Sequence, residues 1–160
     1  MFNIRIYGLL INEKQELLVA DEHIKGKFYT KFPGGGLEYG EGTRDCLKRE
    51  FMEEMNLKVE VGDHFYTTDF FQLNAFSSDI QQIISIYYEV KPLEPITKEL
   101  RVKPFDFDET QQEDYKTSLN IESFRFIPLS DLTLESVTLP IDKVVVKLLL
   151  QKRNRYCGAD

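Results

Sequence analysis

Short stretches of aliphatic and aromatic residues alternate with polar turns in the first part of the chain. Residues 4–11 and 16–20 are aliphatic, and the polar residues 12–15 between them predict two strands paired through a turn. Residues 28–32 predict a third strand, which leads into Pro33 and three successive glycines. Glycine permits positive φ angles and close backbone approach, so this glycine run is expected to form a tight turn.

An amphipathic helical pattern covers residues 43–55. Leu47, Phe51 and Met55 recur every four positions, which predicts a helix with one apolar face. Thr43 is the expected N-cap, because a threonine hydroxyl accepts a hydrogen bond from the first turn. Asn56 follows the last apolar residue, and asparagine tolerates the left-handed conformation that closes many helices.

The second half of the chain predicts further strands and a final helix. Extended segments are expected at residues 58–61, 65–73 and 81–90, connected as a meander. Residues 91–120 are polar and acidic, and are interpreted as either a functional flap or a connection that contains a short helix.

The chain is expected to end in a short strand and a helix. The strand covers residues 124–127, and the helix begins at Pro140 with an apolar face of Val144, Val145, Leu148 and Leu149. The irregular alternation of strands and helices predicts a mixed sheet with helices on both faces, the α+β class.

Length and composition favour one compact globular domain. The 160 residues predict a single domain over residues 1–155 and a disordered tail over residues 156–160. Neither a signal peptide nor an apolar run near about 18 residues is recognised, so no membrane association is expected. Two cysteines, Cys46 and Cys157, predict no disulfide framework, which favours the cytoplasm. The net charge of -7 argues against an extended nucleic-acid surface.

A spaced set of glycine, acidic and basic residues surrounds the predicted helix of residues 43–55. An acidic, solvated helix would explain the charge of this segment. It would not explain the glycine turn, the intervening gap between that turn and the charged residues of the helix, or the single arginine. The spacing is G-x5-E-x7-R-E-U-x-E-E-x-(G)-U, where U is apolar and is first filled by Phe51 and where Asn56 replaces the last glycine. Its fixed positions are Gly35, Glu41, Arg49, Glu50, Glu53, Glu54 and Leu57.

Three of these carboxylates share one face of the helix. A helix turns about 100° per residue, so Glu50, Glu53 and Glu54 project to the same side. Uncompensated carboxylates repel one another, and hard divalent cations with oxygen ligands relieve that conflict. Mg²⁺ is favoured because it also coordinates phosphate oxygens.

The spaced set resembles the Nudix box of the Nudix hydrolase family. The resemblance implies an α/β/α sandwich with a central mixed sheet, and a Mg²⁺-dependent pyrophosphohydrolase that cleaves a nucleoside diphosphate linked to another moiety. It further implies that Glu50, Glu53 and Glu54 are metal ligands, that the Gly35 carbonyl faces a metal, and that Mn²⁺ is a possible substitute.

Other residues of the motif are assigned supporting roles. Arg49 is expected to orient Glu53 through an i,i+4 pair rather than to touch substrate. Glu41 either pairs with Arg49 or approaches a metal, and Glu38 is expected to brace the loop. The general base is either a motif glutamate or one of three downstream acids, Glu109, Glu113 and Glu122.

The substrate is left open by the residues outside the motif. Arg5 and Lys31 are candidate contacts to an anionic ligand, and Tyr29 is a candidate to stack on a base. Gln72 and Leu73 stand where ADP-ribose hydrolases of the family carry a proline, and Asn74 where dinucleoside polyphosphate hydrolases carry a tyrosine. A nucleoside triphosphate and a nucleotide sugar both stay possible, as does a homodimer. The alternative to an enzyme is a binding module that senses a nucleotide without cleaving it.

Overall fold

The structure is a computed structural model that describes residues 1–75 and 77–157. Within these ranges the chain forms an α+β fold of seven strands, three α-helices and one 3₁₀ turn, η1. The helices are α1 Thr43–Met55, α2 Glu109–Ser118 and α3 Pro140–Cys157, and η1 is Leu134–Ser136. The strands are β1 Phe2–Leu10, β2 Glu16–Ile24, β3 Lys27–Lys31, β4 Gly34–Gly36, β5 Val59–Thr67, β6 Gln82–Pro92 and β7 Asn120–Pro128.

Two compact units make up the chain. The first comprises Met1–Ile11 and Pro33–Lys98, and contains α1 and a four-stranded sheet in the order β4-β1-β6-β5. In this sheet β1 and β6 run parallel and the other neighbours are antiparallel, which confirms the predicted mixed sheet. The second comprises Asn12–Phe32 and the described residues from Glu99 onward, with the antiparallel sheet β3-β2-β7, α2, η1 and α3.

The predicted pairing of the first two strands is wrong. β1 lies between β4 and β6, whereas β2 lies between β3 and β7, so the two strands belong to different sheets. Ile6 to Leu10 of β1 and Leu17 to Glu22 of β2 are buried without alternation, the pattern of strands covered on both faces. The extended segments predicted at residues 58–61 and 65–73 meet in one irregular strand, β5, which ends at Thr67, so residues 68–73 lie beyond it.

Helix α1 has the predicted limits and buries the predicted face. Leu47, Phe51 and Met55 are buried, together with Cys46. The N-cap is Gly42 rather than Thr43, because the Thr43 hydroxyl instead hydrogen-bonds the Tyr88 hydroxyl at 2.8 Å.

The C-terminal end of α1 also has the predicted form. Asn56 closes the helix in the left-handed conformation at φ 49° and ψ 43°, as expected.

The polar connection of residues 91–120 contains a short helix, which was one of the two interpretations of its sequence. Asp108 and Gln111 form a capping box at the start of α2. The Gln111 amide also donates to the Glu122 carbonyl at 2.8 Å, which ties this helix to β7.

The final helix starts at Pro140 as predicted. Val145 and Leu149 are buried, whereas Val144 and Leu148 are half-buried. Of the segment predicted as a disordered tail, residues 156–157 are helical and residues 158–160 lie outside the described part. No helix in the described ranges has the length and apolarity that a membrane crossing requires.

Candidate functional site

The glycine strand β4 and helix α1 bring the motif residues together in the first unit. Gly35 pairs with Ile6 of β1, and the Glu50 carboxylate of α1 lies directly against the Gly35 Cα. A Cβ atom at position 35 would overlap this carboxylate, so glycine leaves the space that Glu50 occupies. Only 13% of the Glu50 side chain is exposed.

Arg49 is the centre of the hydrogen-bond network. Its Nε donates to Glu41 Oε2 at 3.0 Å and its Nη2 donates to Glu41 Oε1 at 2.7 Å, a bidentate pair. Its Nη1 donates to Glu50 Oε1 at 2.9 Å and to Glu53 Oε2 at 3.3 Å. Arg49 therefore holds two candidate metal ligands and is itself fixed by Glu41.

The backbone of β4 also takes part in this network. Arg49 Nη2 donates to the Gly36 carbonyl at 3.1 Å. The Glu38 N–H donates to Glu41 Oε1 at 2.9 Å, whereas the Glu38 carboxylate is 3.8 Å from Arg49 Nη1. The contact of Gly36 was not predicted, and its only signal in the sequence was the third glycine of the run.

The hydrogen bonds of this network shift the pKa values of Glu41 and Arg49 in opposite directions. Hydrogen bonds from Arg49, and then from the Glu38 N–H, lower the pKa of Glu41 to about 2. The hydrogen bonds of Arg49 to Glu41, and then to Glu50, raise the pKa of Arg49 above its ordinary value. The pair is therefore fully ionised at neutral pH.

Cys46 lies beside the network as a neutral thiol. Burial, and then its hydrogen bond with Glu41, raises the pKa of Cys46 to about 12. Its Sγ is 3.4 Å from the Gly36 carbonyl and 3.6 Å from Arg49 Nη2. A thiol that stays protonated is a poor nucleophile and a poor metal ligand, so a packing role fits this residue.

The three helix carboxylates offer the donor type that a hard cation requires. Glu53 is exposed and Glu54 is half-buried, with its Oε2 atom shielded from solvent. In residues 1–75 and 77–157 no three His, Cys, Asp or Glu side chains are grouped closely enough to hold a metal ion. Carboxylates repel one another. Two of the three, Glu50 and Glu53, accept hydrogen bonds from Arg49. Their oxygen chemistry suits Mg²⁺ or Mn²⁺.

The predicted substrate contacts belong to different units of the chain. Arg5 faces away from α1, because it neighbours Ile6 on β1 and strand side chains alternate. Its Nε donates to the Tyr7 hydroxyl at 2.6 Å. Lys31 and Tyr29 belong to the second unit and are buried, and Lys31 Nζ is 2.7 Å from Glu22 Oε1. Binding roles for these three residues stay predictions.

The downstream candidates for the general base also belong to the second unit. Glu109 is exposed, Glu113 forms an ion pair with Lys116, and Glu122 is half-buried and pairs across the sheet with Glu22. The choice among these and the motif glutamates stays open.

Comparison with known proteins places this geometry in context. The family model described as NUDIX domain matches residues 1–149. The Escherichia coli ORF135 protein is similar in structure, with 14% identity, a TM-score of 0.68, and coverage of 99% of this chain and 95% of that chain. A MutT protein from Methanosarcina mazei Go1 has 16% identity and a TM-score of 0.61, and 96% of each chain is covered.

A third similar structure is that of a UDP-X diphosphatase. It has 15% identity and a TM-score of 0.61, with coverage of 100% of this chain and 65% of that chain. The search of curated proteins found no match. At these identities the structural likenesses concern the fold.

Proposed function

Because the chain belongs to the NUDIX domain family, we propose that it is a Mg²⁺-dependent pyrophosphohydrolase that cleaves a nucleoside diphosphate linked to another moiety. The observation that carries this proposal is the placement of Glu50 and Glu53 around Arg49, with Glu50 seated on Gly35. The similarity to proteins named MutT and UDP-X diphosphatase supports a small nucleotide derivative as the substrate class.

The metal would be held by oxygen atoms of the first unit. The ligands are Glu50, Glu53 and Glu54 together with the Gly35 carbonyl, and Mn²⁺ can substitute for Mg²⁺. When bound, the cation supplies charge neutralisation at the diphosphate and a lower pKa for an attacking water.

The residues of the chain then have distinct tasks. Arg49 orients Glu50 and Glu53, and the Glu41 carboxylate keeps the Arg49 guanidinium in place. A carboxylate accepts the proton of the attacking water, and the candidates are the motif glutamates and the downstream acids Glu109, Glu113 and Glu122.

A substrate screen with two variants tests this proposal. Purified protein is incubated with nucleoside triphosphates, nucleotide sugars and ADP-ribose in Mg²⁺, in Mn²⁺ and in excess chelator, and the products are separated by chromatography. We expect cleavage of a diphosphate linkage that chelator abolishes, and a kcat about a hundredfold or more lower in Glu53→Gln and Glu54→Gln. Glu60→Gln is the control, because Glu60 is an exposed carboxylate of β5 outside the network.

Two results would each contradict a different part of this proposal. Near-normal turnover in both glutamine variants would remove the metal-ligand assignment. Tight nucleotide binding by calorimetry, together with no release of phosphate or monophosphate in either metal, would instead establish a nucleotide-sensing module.

A further inference from the structure

The start of α1 has no side-chain cap. Gly42 is the N-cap and supplies no hydrogen bond from a side chain to the first turn. The first backbone N–H groups of a helix have no partner within the helix, so a side-chain acceptor often fixes this end. The hydroxyl of Thr43, the first residue of α1, instead pairs with the Tyr88 hydroxyl of β6. The position of this end therefore depends on contacts to the sheet.

Arg44 connects the first turn of α1 to the edge strand β5. Its Nη1 atom donates to the Val61 carbonyl and to the Gly62 carbonyl, both at 2.7 Å. Its guanidinium carbon lies 4.9 Å from the centre of the Tyr88 ring, within the range of a cation–π contact. Hydrogen bonds from a charged donor are stronger than those between neutral groups. One side chain thus ties α1 to both β5 and β6.

The irregular shape of β5 provides the acceptors for Arg44. In a regular strand, successive carbonyl groups point to opposite sides, so one nitrogen atom does not reach two of them. The pairing of β5 with β6 shifts its register between Val61 and His64, and Gly62 lies in this interval. A bulge of this kind bends the strand and interrupts the ladder of hydrogen bonds. At this bulge two successive carbonyls accept from the same atom of Arg44.

Arg44 also extends the buried stripe of α1 toward its start. Leu47, Phe51 and Met55 follow it at helical spacing, so the four positions project to one side of the helix. The middle of this stripe is fixed, because a Cβ atom at Gly8 would lie 2.6 Å from the Phe51 ring. Arg44 and Phe51 are therefore two points of attachment. Two such points set the direction of the helix axis on the sheet.

The direction of this axis decides where the motif carboxylates lie. Glu50 and Glu53 project from the same helix, and Glu50 is seated on Gly35. At about 1.5 Å of rise per residue, Arg44 lies about 9 Å along the axis from Glu50 and about 14 Å from Glu53. It is too far away to share a ligand with them. A helix released at Arg44 would turn about Phe51, and displacements of about 1 Å change reaction rates about a hundredfold.

We infer that Arg44 is a positioning residue, which holds the start of α1 on the bulge of β5 so that the motif carboxylates keep the spacing that cation binding requires. This inference rests on the proposed function, because these carboxylates are its proposed metal ligands. Arg44 itself stands outside the fixed positions of the motif.

Binding of Mg²⁺ alone tests the inference without turnover. The dissociation constant of Mg²⁺ is measured by calorimetry for the wild type, Arg44→Met and Lys48→Met. Methionine keeps an unbranched side chain but donates no hydrogen bond. Lys48 is an exposed lysine one turn further along α1, so Lys48→Met removes the same charge from the same helix.

The two variants should change Mg²⁺ binding in different ways. Loss of a positive charge by itself favours cation binding, so Lys48→Met should bind Mg²⁺ at least as tightly as the wild type. Arg44→Met should bind it about tenfold more weakly, the effect of losing a residue that orients metal ligands. Arg44→Lys keeps a charged donor and should recover part of the loss.

Two further measurements distinguish positioning from a contribution to stability alone. With a substrate that the wild type cleaves, Arg44→Met should lower kcat about tenfold at saturating Mg²⁺ and leave KM nearly unchanged, because Arg44 does not touch the substrate. Hydrogen exchange of the peptide that covers residues 43–55, measured without metal, should be faster in Arg44→Met and unchanged in Lys48→Met.

The outcomes separate the inference from the proposed function. Weaker Mg²⁺ binding confined to Arg44→Met supports the positioning role even if the wild-type protein cleaves no diphosphate, a result that would remove only the proposed function. Equal Mg²⁺ affinities for Arg44→Met and the wild type, including no measurable binding by either, would overturn the positioning role. Equal losses in Arg44→Met and Lys48→Met would do the same, as would a lower melting temperature of Arg44→Met with unchanged Mg²⁺ affinity.

Discussion

At the scale of single residues, adjacent glycines of β4 have opposite surroundings. A methyl group at Gly35 would overlap the Glu50 carboxylate, whereas a methyl group at Gly36 would meet no atom within 4 Å. Neither glycine has a φ angle in the left-handed region, so alanine is compatible with the backbone at both positions. The two sites therefore differ mainly in what their side chains would displace.

We expect Gly35→Ala to lower kcat/KM about a hundredfold, since small displacements of reacting groups have effects of that size. Its melting temperature should change little, because the displaced group is the end of a flexible glutamate side chain. Gly36→Ala is the control and should keep wild-type activity in the same assay. Equal activity of both variants would show that the position of Glu50 does not matter for catalysis.

A second prediction at this scale concerns the pH dependence of stability. The pKa of Glu41 is lowered from 4.5 to about 2, chiefly by Arg49. A carboxyl group whose pKa is lower in the folded state contributes its full stabilisation above the unfolded value, and loses it as the pH falls toward the folded value. The free energy of unfolding of the wild type should therefore decrease between about pH 4.5 and about pH 2, in part because of Glu41.

Urea unfolding across that pH range checks this expectation. Glu41→Gln should show a shallower decrease than the wild type, because glutamine does not titrate. Glu60→Gln, at an exposed carboxylate of β5, should follow the wild-type curve. Identical slopes for Glu41→Gln and the wild type would mean that the Arg49 pair adds nothing to the stability of the fold.

At the scale of elements, the end of α1 depends on Asn56. This residue adopts φ 49° and ψ 43°, and its N–H donates to the Met52 carbonyl at 3.0 Å. A residue with a Cβ other than asparagine or aspartate is strained in this conformation, whereas glycine is not. We expect Asn56→Ala to lower the free energy of unfolding by about 1 kcal/mol and Asn56→Gly to maintain or raise it. Chemical denaturation of the two variants measures this difference, and a destabilised glycine variant would contradict the capping role.

The same element shows how far sequence patterns reach. The limits of α1 and its buried face follow from contacts within about one turn of the helix. The Arg49–Glu41 pair is also local, because it spans only eight positions. The prediction of Thr43 as the N-cap was wrong, because its hydroxyl pairs with the Tyr88 hydroxyl, 45 positions away in the sequence.

Strand pairing is less accessible to sequence patterns. β1 pairs with β6 from a distant part of the chain, and the orientation of Arg5 away from α1 depends on the pairing of Ile6 with Gly35. Likewise, neither Lys31 nor Glu22 taken alone indicates that the two side chains are buried against each other.

At the scale of the whole molecule, the net charge of -7 and the acidic face of α1 make divalent cations natural stabilising ligands. A ligand that binds only the folded state raises the free energy of unfolding, by about 2.7 kcal/mol at a concentration of 100 Kd. For a chain of this length such a change raises the melting temperature by about 5 to 10 °C. We therefore expect Mg²⁺ to stabilise the protein even without substrate, which a thermal melt detects independently of catalysis.

The matched condition is NaCl at the same ionic strength, because general screening of negative charge also raises the melting temperature. The part of the shift that is specific to Mg²⁺ should disappear in Glu53→Gln and Glu54→Gln, and should persist in Glu60→Gln. If Mg²⁺ and matched NaCl give equal shifts in the wild type, the cation acts through net charge alone. The carboxylates of α1 would then not form a binding site in the free protein, and a cation would have to enter together with the substrate.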